Sequence, residues 1–363
     1  MSHSPFMTPE DSRRRREGAR ARRRARRRAI ATGALALAIV AALVVMALAR
    51  SGGAHDSSAS THARRHARTA AVSAPARSPA GLPLGRAALT LTGTGSPARD
   101  PVRIPFHHPP RAGLLFNLDT GQVLWQRNPY ERLRIASLTK MMTALLTVRS
   151  APPDASVLVT RQAVESAGSK VGVLPLGRHV RLETMLYGLL LPSGNDASIA
   201  LAQHISHSVA RFVARMNAEA ARLGMGCTRY SSPSGYLDEG NFSCAADLAL
   251  LAHVDLQQPR IAKVTRTYSA ILPFPIKGGK LYLYNNNPLL VYRYPGATGL
   301  KTGYTLAAGR CLVASAERHG VRLGVVLLSS PDPGVQARQL LDRGFEGVYD
   351  QRPVPEPPMP AGA

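Results

Sequence analysis

One stretch divides this chain before any motif is considered. IATGALALAIVAALVVMALA, residues 30–49, carries no charged side chain and is long enough, at about 20 residues, to cross a hydrocarbon core as a helix. Directly before it lies RRRREGARARRRARRR, residues 13–28. An arginine block on one flank of a membrane helix marks the cytoplasmic side, which sends the chain after residue 49 outside. The net charge of +24 therefore reads mainly as a topology signal with attraction to anionic lipid, and not as the footprint of a specific nucleic-acid binder. Ala47, Leu48 and Ala49 also fit a small-residue cleavage site, the alternative being a secreted protein. The long arginine-rich leader and the length of the apolar run favour an uncleaved anchor.

The expected organisation is a cytoplasmic leader over 1–28, a membrane helix over 29–49 and a low-complexity linker over 50–100, rich in Ala, Ser, Pro, Arg, His and Gly. His55, His62 and His66 in that linker read as solvated side chains and not as metal ligands. Residues 351–363 are a Pro-rich tail that cannot continue a helix or a central strand. One folded unit remains, 101–350. It opens with two apolar runs around an Asp-Thr-Gly turn over 112–127, a hairpin pattern. Helical periods follow over 181–191, 196–206, 208–224 and 244–256. Strand patterns return in GLKTG, GRCLVASAERHG and VRLGVVLLSS, before a last helix over 334–348. Strands at both ends with helices between them predict a single α+β domain, an antiparallel β-sheet flanked by helices. An exported domain can hold disulfides, yet Cys227, Cys244 and Cys311 are too few for a disulfide framework; Cys227 and Cys244 are a candidate pair, with buried free thiols the expected state.

Three short motifs bear on chemistry. In IASLTKMMTALL, Ser137 and Lys140 stand at i and i+3 where a helix begins. They share one face, beside the free N–H groups and positive potential of a helix N-terminus. Ser137 and Thr139 are equally the residue types that cap helices. In LLLPSGNDAS, Ser193 and Asn195 occupy a tight break between two apolar helices, which an ordinary turn would also explain. In GLKTGYT, Lys301 and Thr302 lie on a strand, with Gly303 permitting close backbone approach. Each motif is common alone; their order, with the first on a helix and the last on a strand, is informative.

In these motifs, in the Ser-Pro-Ser-Gly-Tyr segment at 232–236, in NNNPLL at 285–290 and in GATGLKTGYTLAAGRCLVASA at 296–316, the chain resembles the serine-type D-alanyl-D-alanine carboxypeptidases, low-molecular-mass penicillin-binding proteins of the β-lactamase-like superfamily. The resemblance runs over about residues 102–349. Cys244 departs from it where Ser or Thr is usual, and Ser232 where Asn is frequent. It implies that Ser137 is the acyl-ester nucleophile, Lys140 the base that takes its proton, and Ser193 a proton relay to the leaving amine. Asn195 would hold the substrate amide and the lysine, and Lys301 and Thr302, followed by Gly303, the substrate carboxylate. The backbone N–H groups of Ser137 and Tyr304 would form the oxyanion hole. The implied substrates are peptidoglycan stem peptides ending in D-Ala-D-Ala, with β-lactams as covalent inhibitors. No cofactor is expected, since acyl transfer involves no redox or electron-sink step. A DD-endopeptidase or transpeptidase on cross-links is the alternative. A β-lactamase is disfavoured, because the corresponding stretch after the second motif offers Glu219 within a helix and no convincing loop candidate for the deacylating glutamate.

Overall fold

The computed structural model describes residues 89–351, apart from 96, 237 and 238. The expected leader and membrane helix, most of the linker, and the Pro-rich tail beyond Gln351 lie outside the described residues. Among the described residues no helix is long and apolar enough to cross a membrane.

The hairpin forms as expected from β1 (Ala112–Asn117) and β2 (Val123–Arg127). Short strands β3 (Leu133–Arg134) and β6 (Phe242–Ser243) pair, as do β4 (Ser156–Leu158) and β5 (His179–Arg181). A separate hairpin, β7 (Ser269–Pro273) with β8 (Lys280–Tyr284), was not evident in the sequence pattern. Last come β9 (Ala297–Thr305), β10 (Gly309–Arg318) and β11 (Val321–Ser330). The main sheet is five-stranded and antiparallel in the order β2-β1-β11-β10-β9, so strands from the beginning and end of the domain meet at its centre.

Successive residues of a strand face opposite sides, and the sheet is apolar on both. Leu114 and Phe116 of β1, with Val326 and Leu328 of β11, face a cluster completed by Met141, Leu145, Leu186 and Leu248 of the helices. Leu115, Leu323, Val325 and Leu327 face the other way, against Leu340, Leu341 and Phe345 of the C-terminal helix Pro333–Tyr349. The helix Lys140–Ser150 is buried at every position from Lys140 to Thr147. A helix enclosed on all sides makes a rigid mount for whatever stands at its first turn.

Two expectations need correction. The linker does not extend to Asp100: Leu89 is buried, Thr92 pairs with Gln122, and the Asp100 carboxylate accepts from the Gln126 backbone N–H and Nε2, each at 2.8 Å. This polar segment gains order by covering β2, an edge strand whose backbone groups would otherwise lack partners. The cysteines are not all free thiols either. Cys227 and Cys244 form a disulfide, with Cα atoms 5.7 Å apart, and Cys311 is buried as a thiol. Cys244 is the N-cap of the helix Ala245–Leu256 and makes no side-chain cap bond; its sulfur is committed to Cys227.

The bridge closes a loop of sequence separation 17, a length for which chain entropy suggests about 3 kcal/mol of stabilisation. Replacing Cys227 and Cys244 by alanine should lower Tm by about 6–12 °C in calorimetry, and reductant should destabilise the native chain but not the double variant.

Candidate active site

Ser137 sits in a 3-10 turn, Ala136–Thr139, that runs directly into the helix beginning at Lys140. The capping role does not materialise: no side-chain bond caps either element, and Thr139 Oγ1 donates back to Ala136 O at 2.8 Å. Lys140 is fully buried, and its Nζ donates to Ser137 Oγ at 2.9 Å, Asn195 Oδ1 at 2.7 Å and Ser234 O at 2.8 Å. An ammonium has three donors and no lone pair, so these partners satisfy it fully. Two of them, an amide oxygen and a backbone carbonyl, can only accept. If Lys140 loses a proton, its lone pair must face the one partner that carries a hydrogen, the Ser137 hydroxyl. Burial, and then the charge of Lys301, push the lysine well below its usual range, opposed in part by Asp196.

The second motif is built around a left-handed residue. Ser193 has φ of 68° and precedes Gly194, the N-cap of the helix Asn195–Ser206. Its Oγ is buried and has no hydrogen-bond partner among the described residues. Asn195 is held at three points: its backbone N–H donates to Ser169 O at 2.7 Å, its Nδ2 to Ala167 O at 2.6 Å, and its Oδ1 accepts from Lys140. Asp196 accepts from the N–H groups of Val171 and Gly172 at 2.9 and 3.0 Å, tying the 167–172 loop to the same helix.

The third motif lies on β9, the outermost strand of the sheet. Lys301 is buried and its Nζ donates to Thr302 O at 3.0 Å; burial brings its pKa down to about 7. Thr302 is half-buried and Tyr304 is 61% exposed. Gly303 packs on the serine turn, where an added Cβ would come within 2.9 Å of Ile135 O and 3.2 Å of the Ser137 nitrogen. The absence of a side chain there is what lets β9 lie against Ser137.

The structure thus links Ser137, Lys140 and Asn195 directly, sets Gly303 against Ser137, and brings the charge of Lys301 to bear on Lys140. The sequence reading did not assign a role to Ser234, whose carbonyl is the third acceptor for Lys140, or to Gly235. Gly235 has φ of 71°, and any Cβ on it would collide with Ala136 O and Thr139 Oγ1. Their stretch carries the Ser-Pro-Ser-Gly-Tyr pattern, but a backbone carbonyl leaves no mark in residue type. Glu219 is engaged elsewhere, paired with Arg149 and Arg222 at 2.6 Å each.

This arrangement of helix-mounted lysine, edge strand and two-sided antiparallel sheet is that of the penicillin-binding DD-peptidases of β-lactamase-like fold. The structure superposes on a D-alanyl-D-alanine carboxypeptidase from Mycobacterium tuberculosis H37Rv with a TM-score of 0.63 at 36% identity, covering 69% of this chain and 95% of that one. A mutant of the Streptomyces K15 DD-transpeptidase gives a TM-score of 0.63 at 29% identity, over 67% of this chain and 99% of that one. In sequence, the chain is 36% identical over 255 residues to the D-alanyl-D-alanine carboxypeptidase DacF of Bacillus subtilis, 68% of this chain and 64% of that protein, and so spans less than two thirds of that relative's length. It is 32% identical over 237 residues to a D-alanyl-D-alanine endopeptidase of Pseudomonas aeruginosa, 61% of this chain and 76% of that one. The profile of the Peptidase S11 family, the D-alanyl-D-alanine carboxypeptidases, matches residues 103–332, and the chain belongs to that family.

The depressed lysine has a signed consequence for stability. Between pH of about 7, where Lys301 titrates in the fold, and about 10.4, where a free lysine does, the unfolded chain binds the extra proton. The penalty for burying Lys301 is therefore full below pH 7 and is relieved as pH rises through that window. Urea unfolding of Lys301→Met should show a smaller gain in stability from pH 7 to pH 9.5 than the native chain does.

Proposed function

We propose that this chain is a serine DD-carboxypeptidase that removes the terminal D-alanine from peptidoglycan pentapeptide stems, and that β-lactams acylate it at the same serine. The observation that carries this reading is the Lys140 ammonium held by Ser137, Asn195 and Ser234. In its neutral form the amine accepts the Ser137 proton as Oγ attacks the carbonyl of the penultimate D-alanine. The tetrahedral oxyanion is received by the backbone N–H groups of Ser137 and Tyr304. Ser193, whose buried Oγ has no partner among the described residues, passes a proton to the departing D-alanine nitrogen. Water then cleaves the Ser137 ester.

Lys301 and Thr302 receive the free carboxylate of the substrate. That role accounts for a buried cation whose own strand supplies its partner, Thr302 O, because an incoming carboxylate would supply the missing counter-charge. Asn195 orients the substrate amide while it fixes Lys140. The leader and apolar run at 13–49 further suggest that the domain works outside the membrane, with its N-terminus in the cytoplasm. External protease on intact cells should then digest the domain and spare the leader, whereas a mature N-terminus near residue 50 would mean a cleaved signal.

Incubation with a penicillin should add one covalent adduct to the intact mass, and Ser137→Ala should abolish it; an adduct on that variant refutes the assignment. Given a muropeptide pentapeptide and cross-linked dimers, the chain should release D-alanine from the first. Cleavage of dimers without that release would identify an endopeptidase. Amidating the terminal carboxylate should lower kcat/KM by about 10- to 100-fold, as loss of a charge-assisted bond of about 1.5–3 kcal/mol implies, and Lys301→Ala should narrow the gap between acid and amide.

A further inference from the structure

The reaction leaves one exposed surface unused. On the β7–β8 hairpin, Leu281 and Leu283 are buried, while Ile271, Tyr282 and Tyr284 on the opposite face are 62, 58 and 60% exposed. Ile271 stands directly across from Tyr282, and Tyr268 meets Tyr284 edge to face with ring centroids 6.4 Å apart. Scattered apolar exposure is ordinary on a protein surface; an unbroken strip of it marks an interaction site.

The strip is rooted in the candidate active site. The Asn286 N–H donates to Leu191 O at 3.3 Å, two residues before Ser193. Asn285 Nδ2 donates to the carbonyls of Thr265 and Thr267 at 3.2 and 3.0 Å, and Thr265 Oγ1 donates to Thr298 O of β9 at 3.1 Å. The foot of the hairpin is thus braced against both the loop of Ser193 and the strand of Lys301. The charge on the hairpin itself has one sign, and Glu183, which shares a cleft with Leu272 and Pro273, is paired with Arg260 at 2.9 Å. From Leu256 to Ala316 the chain contains no Asp or Glu, and Lys263, Arg266, Lys277 and Lys280 are exposed on and beside the hairpin.

We infer that this face of the β7–β8 hairpin is an accessory binding surface for the glycan strand from which the stem peptide hangs. This rests on the DD-peptidase reading of Ser137. A stem peptide in the site is tethered to a polymer that must leave along some surface, and the hairpin starts at the site's rim. Tyrosine offers a flat apolar body with a polar tip, which suits the faces and hydroxyl edges of sugars. The lysines suit the carboxylates of the stem. A bilayer-inserting face would carry Trp, Phe and Leu; here one isoleucine stands among tyrosines.

The test compares the native full-length chain with Ile271→Ser/Tyr282→Ser. The selectivity ratio, kcat/KM on polymeric uncross-linked peptidoglycan over kcat/KM on a sugar-free D-Ala-D-Ala peptide, should fall about tenfold in the variant, equivalent to about 1.4 kcal/mol. Retention on purified sacculi should fall with it, and penicillin acylation of Ser137 reports that the fold is intact. An unchanged ratio with unchanged retention overturns the proposal, as does a variant that loses only its retention on anionic phospholipid vesicles. If the native chain neither forms an adduct nor releases D-alanine, the reading of Ser137 fails separately. Sacculus retention then still decides: a variant-dependent loss supports the surface, and equal retention refutes it.

Discussion

A lysine ammonium buried without a carboxylate in direct contact is expensive, and the arrangement around Lys140 exists to contain that cost. Three oxygens meet its three donors, and they come from three parts of the chain: the serine turn one helical turn away, the start of the helix at Asn195, and the Ser232–Tyr236 loop. No pair of these is close in sequence. The site therefore exists only when all three elements are docked, and the hydrogen bonds that satisfy the lysine are the same ones that place Ser137 and Asn195.

Each of those elements is secured by contacts that have no chemical role. Asn195 is clamped by the carbonyls of Ala167 and Ser169, and Asp196 pins the same loop through Val171 and Gly172. The Ser234 carbonyl belongs to a loop whose ends are joined by the Cys227–Cys244 disulfide, with the Thr228 and Ser243 hydroxyls 2.7 Å apart just inside it. Thr143 Oγ1 donates to Pro233 O at 2.7 Å from the very helix that bears Lys140. Supporting bonds of this kind hold a catalytic constellation to the tolerance that chemistry needs.

The second buried cation works differently. Among the described residues Lys301 has no acidic partner and donates only to its own neighbour's carbonyl. Its charge falls on Lys140 and lowers that residue's proton affinity, adding to the effect of burial. One side chain thus serves the proposed reaction twice, as an anchor for a carboxylate and as the field that frees Lys140 to accept a proton. The cost is a fold less stable at neutral pH than its packing alone would make it, a recurrent feature of sites with displaced ionisation.

The sequence alone determined much of this protein, for identifiable reasons. The order of the three motifs and the periodicity of the long elements placed Ser137 at a helix start and Lys301 on a strand, because the 3.6-residue and two-residue repeats survive in residue type. The pairing of early with late strands was legible from strand patterns at the two ends of the domain. Tertiary structure decided the rest. The Ser234 carbonyl and the left-handed Gly235 leave no side-chain signature of their role, and the left-handed backbone of Ser193 leaves none either. The β7–β8 hairpin hid because its alternation is interrupted by Pro273, Pro275 and two glycines. Cysteine count argued for free thiols, whereas only the meeting of Cys227 with the cap of a helix, 17 residues on, could make a bridge. Asp100 and its neighbours read as linker, since composition cannot register that an edge strand nearby is in want of partners.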